Sequence, residues 1–224
     1  MSNTKKMGNG EEPENICIKG ITFIDLGQPS GLLWANKNIG AEKETDAGNH
    51  YAWGEVETKD KYDWSTYKWG SGSEGEVTKY IPQRLAGWCN GFYDSKTTIS
   101  NDDDVACVLL GKGCRIPRLK DFYELFEHTT CEPTTVNEEN GVKFTSKING
   151  EEIFLPVAGL SYKASNEKET LRYWTSSLHT VCPDEAIVLV SDGVLTFIGH
   201  EGRCCGLPVR PVMKKRARKI RAIQ

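Results

Sequence analysis

The sequence predicts an α+β protein: small twisted antiparallel sheets, two short helices and long ordered loops. Three observations carry this. Asn149-Gly150 and Asp192-Gly193 each lie between short apolar runs and read as β-hairpin turns. Helix start signals stand at Asp102–Asp104 and at Pro117, each followed by a short apolar segment. Glycine (22) far outnumbers proline (9) among many short apolar runs, a turn-rich and strand-rich composition.

The elements follow in order. Ile16 to Ile24 alternates and predicts a strand or a tight strand pair. Asp25 to Gly31 is loop punctuation, after which Leu32 to Ala35 resumes an apolar strand. Between Lys59 and Gly75, Tyr62, Trp64, Tyr67 and Trp69 sit among Gly, Ser and charged residues. This stretch predicts a long ordered loop whose aromatics pin it to the body. Asp102-Asp103-Asp104 places acids at the start of a helix over Val105–Leu110, with Gly111 as its stop. Lacking Gly and Glu at calcium-loop spacing, the triplet reads as a cap rather than a cation site. A second helix, about Leu119 to His128, carries the apolar stripe Phe122, Leu125 and Phe126. Val142–Ile148 then pairs across Asn149-Gly150 with Glu151–Leu155.

The stretch from Leu171 to Val212 is the most informative. It opens on Tyr173-Trp174-Thr175-Ser176-Ser177 and closes on Gly206-Leu207-Pro208-Val209-Arg210-Pro211-Val212. Ala186, Ile187 and Leu189 read as one buried strand, Leu195 and Phe197 as the next. Period-2 geometry sends Val188, Val190, Val194, Thr196 and Ile198 to the opposite face. A sheet open to water on one side would be polar there, and this face is mostly aliphatic. It is therefore either covered, with the Lys59–Gly75 loop as the candidate cover, or made to bind something.

Size and charge set bounds. The 224 residues, with net charge -3, read as one domain over 16–213 between a polar lead-in (1–15) and a basic tail (214–224). The tail, KKRARKIRAIQ, carries six basic side chains and no acid. It is either solvated or a contact for an acidic partner or nucleic acid. No apolar run approaches membrane-spanning length, so no membrane span is expected. The amino-terminal residues lack a secretory core, which makes a cytoplasmic or phage-borne location the expectation. Cys17, Cys89, Cys107, Cys114, Cys131, Cys182, Cys204 and Cys205 follow no disulfide framework and read as reduced thiols, several of them buried.

Catalytic motifs are missing from the sequence: it has no phosphate-binding Gly-Lys-Ser/Thr loop, no dinucleotide fingerprint and no Gly-x-Ser-x-Gly elbow. His50, His128, His179 and His200 have no Ser or Cys partner in a known local signature, and the reading is of a protein that is not an enzyme. Cys204 sits beside Arg203, which could lower a thiol pKa and favour a thiolate. A metal alternative also exists. His179-x-x-Cys182 and His200-x-x-x-Cys204 flank one hairpin at spacings compatible with four zinc ligands; the reading preferred here assigns no metal and no cofactor.

Several phrases resemble one family in order along about residues 20–213. They are Asp25-Leu26-Gly27-x-Pro29-Ser30-Gly31-x-Leu33-Trp34-Ala35, Ala52-Trp53-Gly54-Glu55, Trp64-Ser65-Thr66-Tyr67, Arg115-Ile116-Pro117, Phe154-Leu155-Pro156-Val157-Ala158-Gly159, Tyr173-Trp174-Thr175-Ser176-Ser177 and Val209-Arg210-Pro211-Val212. Together they resemble the Fibrobacter succinogenes major paralogous domain. The resemblance implies a C-type-lectin-like fold of the formylglycine-generating-enzyme subgroup. Two positions depart from the pattern: Cys114 stands where the family usually has Trp, and Arg118 replaces a helix-capping Thr. Neither the catalytic cysteine pair of the formylglycine-generating enzymes nor the calcium and sugar signature of true lectins is present.

Some proteins of this fold group are variable proteins of diversity-generating retroelements, in which adenine-directed mutagenesis randomises chosen codons near the carboxyl end. Those codons cannot reach Lys, Gln, Glu, Met or Trp. The positions here that follow no evident rule are His179, Thr180, Val181, Cys182, Asp184, Val188, Val190, Ser191, Asp192, Val194, Ile198, Gly199, His200, Gly202, Cys204 and Cys205, and all lie inside the reachable set. Glu185 and Glu201 lie outside it and are expected to be framework. The resemblance thus implies a ligand-binding scaffold with a diversified carboxyl-terminal face for a protein or other macromolecular ligand. The alternative is an undiversified structural or interaction domain of the same fold.

Overall fold

The computed structural model describes residues 15–215 apart from 74, 163–164 and 168–169, so the lead-in and nearly all of the basic tail lie outside the described residues. β1 (Ile16–Ile18) and β2 (Ile21–Asp25) form the expected tight pair. They turn on Lys19 and Gly20, whose φ angles of 48° and 78° give the twist a two-residue hairpin needs. β3 (Leu32–Ala35) and β4 (His50–Tyr51) follow, then a 3₁₀ turn at Gln83–Cys89 that the sequence reading did not foresee. Both expected helices are present, α1 (Val105–Leu110) and α2 (Leu119–His128), with β5 (Cys114–Arg115) between them. The remaining strands are β6 (Thr129–Val136), β7 (Glu139–Ser146), β8 (Glu152–Pro156), β9 (Leu160–Tyr162), β10 (Ser165–Glu167), β11 (Leu171–Leu178), β12 (Glu185–Ser191), β13 (Thr196–Gly202), β14 (Leu207–Pro208) and β15 (Val212–Lys214).

All strand pairs between these elements are antiparallel, and the sheets are small, as the α+β reading requires. The terminal sheet has the order β1-β2-β3-β15-β5, so the last strand is inserted beside the third. The hairpin expected around Asn149-Gly150 is β7–β8, with Val142 opposite Leu155 and Thr145 opposite Glu152. β6 went unread because its turn, Asn137-Glu138, has positive φ at both residues (48° and 70°) without a glycine. Pro133 sits in β6, at the edge of its sheet, where a missing N–H costs no ladder bond.

The helix starts show how local chemistry sets the boundaries. Asp104 caps α1: its Oδ1 accepts from Ala106 N (3.0 Å) and Cys107 N (3.1 Å), and its Oδ2 accepts from Ile116 N (2.9 Å). Arg118 offers α2 no acceptor oxygen. Asp121 compensates by accepting from Arg118 N (2.6 Å), and Ser177 Oγ on β11 accepts from Leu119 N (3.1 Å). Cys114, the other departure from the family pattern, is buried with Phe23, Leu33 and Met213 in a small core behind the terminal sheet.

Burial raises the Asp104 carboxyl from 3.8 to about 6, and the amides bonded to it oppose the shift without cancelling it. A raised carboxyl pKa means the folded state holds a proton that the unfolded chain releases above its ordinary value. Its contribution is therefore complete below about pH 4 and is lost as the pH rises towards 6. Asp104→Asn should remove that slope. The difference between wild-type and variant urea-unfolding free energies should change by on the order of 2–3 kcal/mol between pH 4 and pH 7. A flat difference would show that Asp104 titrates normally.

Two larger cores meet at β12. One is aromatic, with Trp53, Trp64, Tyr67, Tyr80 and Trp174. The other is mainly aliphatic, around Trp34, Phe122, Leu125, Phe144 and Leu155. Ala186, Val188 and Val190 belong to the first, and Leu189 to the second. Val188 and Val190 therefore do not face outward as expected: β12 is covered on both sides. Ser191 at the end of the strand is buried as well. Trp64 and Tyr67, from the loop foreseen over Lys59–Gly75, belong to the same core as Val188 and Val190, so that loop is part of the layer that buries this side. That loop is pinned as expected: Tyr62 Oη donates to His50 O, Tyr67 Oη to Trp53 O and Trp69 Nε1 to Gly54 O. β13 is the edge strand, and Leu195 and Phe197, expected inside, are exposed.

Candidate functional site

The carboxyl-terminal hairpin keeps its expected register, Ser191 opposite Thr196 and Glu185 opposite Gly202. Its turn closes through Asp192 Oδ1, which accepts from Val194 N (2.9 Å) and Leu195 N (2.8 Å), with Gly193 at φ 87°. The sixteen candidate positions fall into three groups. Thr180, Val181, Asp192, Val194 and His200 are exposed. His179, Cys182, Asp184, Ile198, Gly199 and Gly202 are half-buried. Val188, Val190, Ser191, Cys204 and Cys205 are buried, which corrects the expectation that all sixteen could form one surface. The four aliphatics do not make one patch either. Val194 is 80% exposed at the turn, Val188 is 0% exposed, and Ile198 packs half-buried against the aliphatic core. Gly199 is constrained by contact, since a Cβ there would meet Val190 Cγ2 at 3.0 Å.

Beyond the hairpin, Arg203 and Cys204 turn inward. The Arg203 guanidinium lies 4.8 Å from the Trp53 ring centre and donates to Tyr67 Oη (2.9 Å), Pro183 O (2.8 Å) and Lys79 O (2.9 Å). It is a structural cation rather than an activator of Cys204, which is itself sealed in the aromatic core. The Cys205 thiol is pushed up by its contact with Cys204 and by burial, which disfavours a nucleophilic thiolate there. All eight cysteines carry free thiols.

The zinc alternative fares differently. Cys204 leaves the proposed set because it lies in the turn after β13 and is buried in the aromatic core. Glu185, absent from the set, enters it. The 179–184 loop is tight: Cys182 N donates to His179 Nδ1 (3.3 Å), His179 N to Glu185 O (3.1 Å) and Glu185 N to Cys182 O (3.3 Å). Register places His200 opposite Ile187, on the same face of the hairpin as Glu185. The His179 and His200 rings stack with centres 4.6 Å apart. Glu185 Oε2 lies 2.9 Å from His200 Nδ1 and 3.3 Å from His179 Nδ1. Ligand atoms of His179, Cys182 and Glu185 all lie within 4.8 Å of one another. Desolvation, then the carboxylates of Glu185 and Asp184, hold the Cys182 thiol above its ordinary value.

His50 has a serine neighbour that sequence reasoning missed. Its Nδ1 lies 2.7 Å from Ser161 Oγ and its Nε2 lies 3.0 Å from Ala158 O, so the ring stitches β4 to the 158–161 segment. Burial holds its pKa below the ordinary value, which favours the neutral ring.

A further surface was also missed. Trp88 is 72% exposed, and Phe92 and Tyr93 are exposed beside it. Trp88 and Phe92 line a shallow cleft of about 300 Å³ with Val77, Thr78 and Asn90. Arg84, in the same 3₁₀ turn as Trp88, donates to Thr180 O, and Asp184 lies against Gly75. The 3₁₀ turn that carries Trp88 is thereby tied to the 179–184 loop. The signal was in the sequence as Trp88-Cys89-Asn90-Gly91-Phe92-Tyr93, where the aromatics have no strand or helix pattern to place them in a core. Among the described residues no helix is long and apolar enough to cross a membrane. Comparison of the chain with family models, with curated proteins and with solved structures gives no match.

Proposed function

We propose that this chain is a non-enzymatic recognition protein on a C-type-lectin-like scaffold of the formylglycine-generating-enzyme subgroup. Its ligand surface is built from loops: the 179–184 segment together with Trp88, Phe92 and Tyr93. The carrying observation is that cluster of exposed aromatics, on and just after the turn tied to the loop. Trp88 and Phe92 stand exposed at one cleft with Tyr93 next in the chain, and exposed aromatic groups of this kind commonly anchor a protein ligand. The aromatic rings supply contact area at low entropic cost, while Thr180, Val181 and Asp184 supply shape and polar selection.

The retroelement reading continues in narrower form. Diversification would act where side chains reach solvent, at Thr180, Val181, Asp184, Asp192 and Val194. It would be purged at Val188, Val190, Ser191, Cys204 and Cys205, where packing rejects most replacements. Deep sequencing of the locus tests this. The expected result is a nearby near-identical template repeat, with variants concentrated at the accessible positions. A locus with no template repeat, or with changes spread evenly over buried and exposed codons, would overturn the diversified form and leave an undiversified interaction domain.

A further inference from the structure

We propose that His179, Cys182, Glu185 and His200 form a binding site for one divalent transition-metal ion of the zinc type. Three features of the cluster point to a cation. The first is spacing. In a tetrahedral site with metal–nitrogen and metal–oxygen bonds near 2.0–2.1 Å and a metal–sulfur bond near 2.3 Å, neighbouring donor atoms stand about 3.3–3.7 Å apart. Glu185 Oε2 stands at that spacing from His179 Nδ1 (3.3 Å) and closer than it to His200 Nδ1 (2.9 Å), so the exposed His200 would draw back slightly, and Cys182 Sγ lies within 4.8 Å of the His179 and Glu185 donors. Cys182 is half-buried in a loop, where a change of side-chain rotamer can bring its Sγ towards the other donors.

The second feature is an imbalance of protons. Glu185 Oε2 is inaccessible to solvent, and its close polar neighbours are the two imidazole nitrogens, neither of which makes a well-aligned hydrogen bond to it. His179 Nδ1 accepts from Cys182 N, so that nitrogen carries no proton to share with Glu185. A carboxylate oxygen and a bare ring nitrogen 3.3 Å apart repel unless a positive charge lies between them. A metal supplies that charge, and the long 3.3 Å amide contact yields when the ion takes the lone pair. The third feature is donor type. Two imidazoles, one thiolate and one carboxylate are a borderline-soft set, which selects zinc or cobalt over magnesium or calcium. Two anionic ligands also balance a divalent charge in a partly desolvated site. The ion would tie the start of the 179–184 loop to both strands of the hairpin. This holds whether or not that loop engages a ligand.

The full chain, stripped with chelator and reduced, would be titrated with Co²⁺ by absorption and with Zn²⁺ by calorimetry at pH 7.5. The expected result is one equivalent, with the visible bands of tetrahedral cobalt and a near-ultraviolet thiolate-to-cobalt band, and with a raised melting temperature. Cys182→Ser should abolish the thiolate band, and His200→Ala should weaken binding about 10-fold or more. His200 is exposed on an edge strand, so that variant should fold. Cys17→Ser, at an exposed thiol elsewhere, should bind as wild type. Affinity should fall as the pH drops, because the ligands must shed protons to bind. No saturable binding by wild type at micromolar metal, or a thiolate band that persists in Cys182→Ser, would overturn the site. The first of those outcomes would leave a His–Glu–His ion cluster in its place.

Discussion

Arg210→Met is expected to lower unfolding free energy by about 3–5 kcal/mol. Arg210 is fully buried, and its donors are spent on oxygen atoms from separate segments: Asn38 Oδ1 (2.8 Å), Ala35 O (3.0 Å) and Phe154 O (2.9 Å). Asn38 is itself bonded to Tyr173 Oη (2.9 Å), which donates to Pro156 O (2.9 Å). One guanidinium therefore joins the end of the terminal sheet to β8 and β11. Burial depresses its pKa, yet a guanidinium stays charged in proteins. Deleting the charge recovers some desolvation cost, but it leaves three buried acceptors without a donor, each worth about 1–3 kcal/mol. Arg210→Lys should recover little, because a point ammonium cannot reach three diverging oxygens. Urea unfolding of both variants is the measurement. A methionine variant within 1 kcal/mol of wild type would mean that the acceptors find other donors.

Val188→Asn and Val194→Asn should differ sharply, although both valines belong to one hairpin and were expected on one face. At Val188 the change forfeits about 1.5–3 kcal/mol of burial. It also leaves an amide among Trp and Tyr rings at a further cost of about 1–3 kcal/mol. A loss of about 3–6 kcal/mol, or failure to fold, is expected. At Val194, on the exposed turn, the change should stay within about 0.5 kcal/mol. Thermal melts of the purified variants decide the matter. Equal tolerance at both sites would restore the idea that the hairpin face is free to vary.

That contrast also marks how far the sequence could be read. The helices, the hairpins at Asn149-Gly150 and Asp192-Gly193 and the pinned aromatic loop were legible because each rests on local chemistry. Which face of β12 meets solvent was not. Parity separates Val188 from Leu189, but it cannot say that both faces are covered. The clue lay elsewhere: Ala186 to Val190 is an unbroken apolar run, which marks a strand buried on both sides. The candidate metal set shows the same limit. His179, Cys182 and His200 were found by spacing, whereas Glu185 replaced Cys204 only once the chain's turn at Gly202 fixed which way each side chain points. The surface around Trp88 escaped because aromatic residues in a short 3₁₀ turn and the loop after it show no repeat long enough to read.

The insertion of β15 between β3 and β5 governs when the protein can finish folding. Until Val212–Lys214 emerges from the ribosome, β3 has one bare edge and nothing to hold β5 against it, so that sheet cannot close before this segment is made. During that interval Leu32, Leu33 and Trp34 line an unpaired apolar edge, the kind of template that recruits other nascent chains. A product stopped short of Val212 would carry that adhesive edge permanently.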